Sequence, residues 1–445
     1  MAAPPAAHPS PPPAASPWDE RLVTLWAVSA AFATYFCMYA WRRPFTAASY
    51  EDGALLGGAV ALKTAFVISQ LLGYTVSKFW GISVCSELDR RRRARTLLLM
   101  IGIAHVALVA FAILPAPWNI AAIFVNGIPL GMVWGVVVSY LEGRRTSEFL
   151  LAGLSCSFIV ASGVVKDVGL WTMNTLGVGE YWMPAVVGLF FLPVFLASIW
   201  ALDRIPPPSA RDVEERVERK AMDRSERRAF VKLFFPGLVP LLVVYFFVTA
   251  FRDFRDNFGV ELFDALGMGG TTALFTRSEV TVAFGVLAVL AMLALVRNNR
   301  LGLLGAYSVM ISGMVLVGVS TLLLQRGLIG ALPWMIGIGL GSYLTYVPFG
   351  SVLFDRLIAH TRVSGTAVFA IYLCDAIGYT GSIAIQLFRD VAFGDSSRLD
   401  FFLNYALFTS LTGALLLSFS ALYFLTRTGL EAQERVATPV RASVA

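Results

Sequence analysis

Long apolar runs separated by short polar segments follow one another along almost the whole chain. Each run has about the 20 residues that a helix needs to cross the hydrocarbon core of a membrane. The runs lack the two-residue alternation of membrane strands, and a helix satisfies its own backbone hydrogen bonds in lipid. The sequence therefore predicts an all-α membrane protein with twelve transmembrane helices. The runs cover 22–42, 58–85, 96–114, 118–141, 149–172, 183–202, 230–255, 271–296, 301–324, 328–354, 363–388 and 400–425.

Composition argues against most other classes of protein. Hydrophobic residues make up 57% of the chain and charged residues only 14%, against about 45–50% and about 25% in soluble domains. A soluble enzyme, a disordered chain and a fibre do not fit these values. The net charge of +6 comes mostly from arginines between the apolar runs, where basic residues set membrane topology. We therefore expect the protein to lie in the lipid bilayer. We do not expect it to bind nucleic acid.

The longest polar interruption divides the chain after the sixth run. It holds three successive prolines, at 206–208, which stop a helix, and then many charged residues. The sequence therefore predicts two six-helix bundles joined by a solvated linker. The predicted parts are a disordered Pro/Ala-rich tail at 1–17, a first bundle at 18–202, a cytoplasmic linker at 203–229, a second bundle at 230–426 and a cytoplasmic tail at 427–445.

Basic residues predict the orientation. The side that holds the N-terminus carries 24 lysines and arginines, and the other side carries six. Because basic loops stay in the cytoplasm, both termini are expected there. The Pro/Ala-rich start lacks the pattern of a signal peptide, which suits a multi-pass protein of a bacterial inner membrane.

A weak internal repeat supports the division into two halves. A Gly-Ile pair at Gly127 recurs at Gly337, and Arg42 near the end of run one corresponds to Arg252 near the end of run seven. Both offsets are 210 residues. In transporters built from parallel repeats, the substrate binds between the halves near the middle of the membrane.

Charges inside the runs are candidates for function, since a charge at bilayer depth costs on the order of 2.5–3.5 kcal/mol on insertion scales. Arg42 and Arg252 occupy corresponding depths, so they could face each other across a central cavity. Two guanidinium groups there would suit an oxyanion, because each binds two oxygens. The alternative is that Arg42 extends to the outer membrane interface.

For the other charged residues inside the runs, more than one role is consistent with the sequence. Lys78 could assist anion binding or extend to the cytoplasmic face, and Asp375 could carry a proton or neutralise a cation. Asp256 follows Arg252 by one helical turn and can pair with it, which would weaken an anion site. The candidates for coupling or charge pairing are Asp253, Arg255, Asp256, Asp375 and Lys166.

Several motifs resemble the major facilitator superfamily and, within it, the organophosphate:phosphate antiporters. They are Tyr35-x-x-x-Tyr39-x-x-Arg42-Arg43-Pro-Phe45, Tyr74-x-x-x-Lys78-Phe79, Gly131-Met-x-Trp134, Ser364-Gly-Thr-Ala367 and Gly378-Tyr379-x-Gly381. The resemblance implies a twelve-helix major facilitator fold and transport by alternating access. It further implies a substrate site formed by Arg42, Arg252, Lys78, Tyr35, Tyr39, Tyr74, Trp134 and Tyr379.

The sequence also departs from these families. The superfamily places a glycine four residues before an Asp-Arg pair after the second helix, whereas eight residues separate Gly81 from Asp89 here. Asp89 and Arg90 are nevertheless predicted to form the gating loop. A family tyrosine one turn before the second arginine is replaced by Thr249.

Three functions remain open from the sequence. The first is exchange of a small anion, such as an organic phosphate, for inorganic phosphate. The second is proton-coupled transport of another solute, with Asp375, Asp253 or Asp256 titrating. The third is a membrane sensor that binds ligand without flux. An enzyme is not expected, because no nucleophile–base pair or metal constellation is apparent. We expect a monomer, a small-molecule substrate, no cofactor and no metal.

Overall fold

The computed structural model confirms the predicted all-α architecture of two six-helix bundles. It describes residues 20–50, 54–55, 60–86, 88–141, 147–206, 224–271, 273–361, 367–394 and 397–426. The predicted tails at 1–17 and 427–445, and most of the predicted linker at 203–229, lie outside these residues. So does most of the motif at 364–367.

Fourteen helices occur in the described part of the chain. They are α1 Glu20–Arg42, α2 Leu62–Ser86, α3 Arg90–Ile113, α4 Trp118–Leu141, α5 Ser147–Leu176, α6 Met183–Asp203, α7 Arg224–Asn257, α8 Gly259–Ala265, α9 Leu274–Ala294, α10 Asn299–Gln325, α11 Ala331–Ser351, α12 Leu353–Thr361, α13 Ala367–Ala392 and α14 Arg398–Thr426. Between α1 and α2 lie a 3-10 helix, Pro44–Ala47, and two antiparallel strands, β1 Ala54–Leu55 and β2 Val60–Ala61.

Most of these helices are long and apolar enough to cross a membrane. Within the described residues, ten qualify singly, and α11 with α12 forms a further span bent by 50°. Pro348 lies in the last turn of α11, where it interrupts the helical hydrogen bonds and favours a bend. The remaining long helix, α2, has 25 residues. The twelve long helices correspond to the twelve apolar runs.

The two halves share one packing scheme. In the first half, α1 packs on α4, α5 and α6, while α4 packs on α2 and α3, and α3 packs on α6. The corresponding helices of the second half, α7, α9, α10, α11, α13 and α14, make the same six contacts. Between the halves, α5 contacts α9 and α2 contacts α13, so the fifth helix of each half meets the second helix of the other. The predicted pseudo-symmetry is therefore confirmed.

Glycine allows the close approach of α2 and α4. A Cβ atom added at Gly127 would lie 3.0 Å from the backbone nitrogen of Tyr74 and would overlap the carbonyl oxygen of Gln70. The same contact region holds a buried polar network. The Gln70 amide donates to the carbonyl of Arg42 (3.0 Å) and to Asn126 Oδ1 (2.8 Å). This packing therefore fixes the end of α1, where Arg42 lies.

We expect Gly127→Ala to destabilise the protein by about 1–3 kcal/mol, because overpacking forces the two backbones apart. Thermal unfolding in detergent measures the effect as a lowered midpoint. Gly102→Ala on α3 is the matched control, because a Cβ atom there meets no other atom within 4 Å. Equal midpoints for the two variants would contradict the close-packing interpretation.

Candidate functional site

Arg42 lies among tyrosines near the interface of the two halves. Its guanidinium carbon is 4.2 Å from the centre of the Tyr74 ring and 5.4 Å from that of Tyr39, within the range of cation–π attraction. Its Nη1 donates to the Tyr39 hydroxyl at 3.3 Å. Tyr35 packs against Tyr39 with ring centres 5.7 Å apart, and Tyr379 packs against Tyr74. We call Tyr35, Tyr39, Tyr74 and Tyr379 the tyrosine cluster.

Both halves of the molecule form the tyrosine cluster. Tyr379 belongs to α13 in the second half, and its ring centre lies 5.8 Å from that of Tyr74 on α2. Trp134 on α4 packs against Tyr35 with ring centres 4.9 Å apart. Of the residues predicted to line the site, these aromatics and Arg42 are therefore brought together. The side chain of Lys78 lies outside the described residues.

Arg42 differs from the other buried cations. Its residue surface is only 9% exposed, yet no carboxylate among the described residues lies within ion-pair distance. Every other buried lysine or arginine among the described residues has a carboxylate partner. These paired cations are Arg43, Lys63, Lys166, Arg255 and Arg389. An uncompensated buried charge is costly, so this guanidinium is suited to hold an anion.

Arg252 lies in a second aromatic environment on α7. Its guanidinium carbon is 4.2 Å from the ring centre of Tyr346 and 5.8 Å from that of Tyr343. Its Nη2 contacts Asp253 Oδ1 at 2.8 Å. Asp253 also lies 3.9 Å from Arg43, the residue that follows Arg42. The two predicted arginines differ in charge compensation, because Arg252 has a carboxylate partner and Arg42 has none among the described residues.

The predicted pairing of Asp256 with Arg252 is wrong. Asp256 instead accepts from Arg43 Nη2 at 2.8 Å, and it also bonds Lys166 Nζ and Ser162 Oγ. All three partners belong to the first half, so the contacts of this carboxylate run between the halves and not along its own helix. Asp253, the next residue after Arg252, neutralises it instead.

These residues form an ion-pair network between the halves. We call Arg43, Lys166, Asp253 and Asp256 the charge cluster. Arg43 also bonds Asn257 and lies 3.9 Å from Asp253. The 210-residue offset that relates Arg42 to Arg252 also relates Arg43 to Asp253. Two pseudo-symmetric positions with opposite charges therefore meet at the interface, where α1 and α7 end.

An ion pair and a backbone hydrogen bond also link the halves near strands β1 and β2. Lys63, only 1% exposed, donates to Glu261 of α8 at 2.6 Å and to the carbonyl of Thr46 at 2.8 Å. The backbone nitrogen of Ala61 donates to Asp390 at 3.1 Å. Both links join residues at or just before the start of α2 to the second half, so they add to the contact made by the charge cluster.

The remaining predicted residues make contacts outside the tyrosine cluster and the charge cluster. Arg255 pairs with Glu279 at 2.8 Å and donates to the Met335 carbonyl at 3.0 Å, so it joins helices within the second half. Asp375 accepts from the Tyr245 hydroxyl at 2.8 Å. Arg90 donates to the Ile205 carbonyl, and Asp89 lies exposed before α3. Whether these two residues form a gate stays a prediction.

Sequence reasoning missed two acids of the interface and the site. Glu279 lies inside an apolar run and neutralises Arg255. Glu261, just after the seventh run, neutralises Lys63. An acid within or beside a membrane span was the available signal in both cases, because such a residue needs a partner.

Comparison with solved structures identifies the fold. A D-xylose–proton symporter is 13% identical with a TM-score of 0.58, over 89% of this chain and 96% of its own. A bacterial homologue of the human lysosomal transporter Spinster is 14% identical with a TM-score of 0.56, over 93% and 99%. A mutant of the nucleoside transporter NupG is 12% identical with a TM-score of 0.57, over 91% and 100%. The protein is therefore a multi-pass membrane protein with the major facilitator fold of secondary transporters.

The chain belongs to DUF5690, a family of unknown function, whose model matches residues 44–427. No curated protein matches the chain. The solved neighbours are transporters and not enzymes, and their identities below 15% establish the fold alone. The narrower resemblance to the organophosphate:phosphate antiporters stays a prediction.

We expect Asp256→Asn to lower the free energy of unfolding by about 3–5 kcal/mol, because it leaves two buried cations without their shared carboxylate. Thermal unfolding in detergent measures the loss. Adding Lys166→Met to the variant removes one of those cations and should recover part of the stability. Asp400→Asn, at an exposed position of α14, is the control; an equal effect there would contradict the assignment.

Proposed function

We propose that the protein is a secondary active transporter that carries a small organic anion by alternating access, with Arg42 as its anchor. The observation that carries the proposal is the buried Arg42 guanidinium, which has no carboxylate partner among the described residues while five other buried cations have one. An anion at this position would supply the missing charge. An enzymatic reaction is not part of the proposal.

The position of the tyrosine cluster supports a transport role. Tyr379 of the second half and Tyr74 of the first half face each other beside Arg42. An anion held there would contact both halves, and its binding would favour conformations in which the halves are close. Carriers with parallel repeats use a central site of this kind.

The charge cluster supports an alternating-access mechanism. It closes the interface at the end of the molecule where α1 and α7 finish, and its pairs must separate before the site opens to that side. We propose that this is the non-cytoplasmic side of a bacterial inner membrane, with both termini in the cytoplasm and the protein acting as a monomer.

Exchange of an organic phosphate for inorganic phosphate is the specific form that the motif resemblance favours. Arg42 and Arg252 would share the oxyanion, with Lys78 assisting. The pair of Arg252 with Asp253 at 2.8 Å means that the second arginine must leave its carboxylate to bind. A proton-coupled carrier is the second candidate, because Tyr245 joins Asp375 to Tyr346 beside Arg252.

The test is flux in liposomes loaded with inorganic phosphate. We expect saturable uptake of labelled phosphate that competing organic phosphates reduce, at least tenfold lower in Arg42→Ala because the anchor is lost. Arg252→Ala should also reduce uptake. Arg326→Gln, at an exposed position after α10, is the control and should transport normally.

The outcomes separate the candidate functions. Absence of uptake by folded wild-type protein rejects phosphate exchange. Uptake that needs a pH gradient and no phosphate on the opposite side identifies a proton-coupled carrier. Anion binding without any flux identifies a sensor. Normal phosphate uptake in Arg42→Ala would reject the anchor role of Arg42.

A further inference from the structure

We infer that Asp253 is a switch carboxylate, which transmits the occupancy of Arg252 to the charge cluster that closes the two halves. The inference rests on the transporter proposed above and names how its anion site is regulated. In the absence of anion, Asp253 neutralises Arg252. When an anion takes Arg252, Asp253 becomes available to Arg43 and strengthens closure.

Asp253 has the contacts that such a switch needs. Its Oδ1 is 2.8 Å from Arg252 Nη2 and 3.9 Å from Arg43 Nη2. Its Oδ2 accepts from Ser382 Oγ on α13 at 2.6 Å. One carboxylate oxygen is therefore placed between two competing cations, while the hydrogen bond from Ser382 holds the other oxygen in position.

The distances show which partner holds the carboxylate in this state. Arg252 is within hydrogen-bond distance of Asp253 at 2.8 Å, whereas Arg43 is beyond it at 3.9 Å, so Asp253 neutralises Arg252 in this state. Arg43 is held instead by Asp256, a carboxylate that it shares with Lys166. In this state two cations of the charge cluster, Arg43 and Lys166, therefore share the single carboxylate of Asp256.

Movement of the Asp253 carboxylate from Arg252 to Arg43 would give each cation of the charge cluster its own carboxylate. An anion on Arg252 replaces the charge that Asp253 supplied, so Asp253 is free to move towards Arg43. Arg43 would then use Asp253 and leave Asp256 to Lys166, which gives one carboxylate to each cation. Because Arg43 and Lys166 belong to the first half and both acids to α7, this exchange strengthens the contact between the halves.

A double-mutant cycle tests whether the two arginines share Asp253. The variants are Arg43→Gln, Arg252→Gln and both together, measured by thermal unfolding in detergent without any added anion. We expect Arg43→Gln to lower the midpoint more in the Arg252→Gln background, because Asp253 is then left without a cation. In the Asp253→Asn background this coupling should vanish. Additive effects, as expected of independent sites, would overturn the inference.

A distance measurement tests the direction of the switch. Spin labels at Thr175 and Thr271, exposed positions near the ends of α5 and α9, report the separation of the halves. Arg252→Gln imitates an occupied arginine, so the ratio of closed to open molecules should rise about tenfold, equivalent to about 1.4 kcal/mol. Adding Asp253→Asn should abolish the rise, and adding Asp253→Glu, which keeps the charge, should retain it.

The outcomes distinguish this inference from the transport proposal. An unchanged ratio in Arg252→Gln, or a rise that survives Asp253→Asn, overturns the switch whatever the flux assay shows. Neither experiment needs a transported ligand, so coupling through Asp253 can be established even where phosphate uptake fails. Flux without coupling would leave a transporter whose closure is independent of Asp253.

Discussion

The need to compensate charges buried in a membrane protein organises this structure. Arg43, Lys63 and Lys166 are all buried in the first half, and each finds its carboxylate in the second half. The bundles therefore complete each other electrostatically as well as by apolar packing. Separating them exposes these charges, which is tolerable only where water can enter. The same constraint thus holds the halves together and, in the proposed alternating-access cycle, would determine where they separate.

Divergence between the repeats makes this complementarity possible. The halves keep the same six helix contacts, and Arg42 and Arg252 keep the same residue type at corresponding positions. The next position does not, since Arg43 faces its counterpart Asp253 at 3.9 Å. Two arginines there would repel each other across the interface. At this position the difference between the repeats replaces a like-charge contact by an attractive one between the halves.

The sequence was sufficient for the fold and for part of the site. Apolar run length depends only on local composition, so the twelve helices and the division into halves were predictable. The 210-residue offset related Arg42 to Arg252 as candidates, and their role in binding stays a prediction. The partner of Asp256 was not predictable, because Arg43 and Lys166 are distant in sequence and reach it only after the halves dock. Local helical spacing gave Arg252 as its partner, and tertiary contacts overrode that spacing.

Arg42 and Arg252 therefore differ in whether an anion would have to displace a carboxylate in order to bind. At Arg42 the surrounding groups are tyrosines, which polarise around the cation without neutralising it. At Arg252 a carboxylate is already present at 2.8 Å, and an anion has to displace it. In the proposed function, the contact with Arg42 would be available at once, whereas the contact with Arg252 would require Asp253 to move first. Binding and rearrangement would then follow in order. If Arg252 had no carboxylate partner, the two arginines would bind an anion more tightly. Binding at Arg252 would then release no carboxylate, and it would not change the ion pairs between the halves.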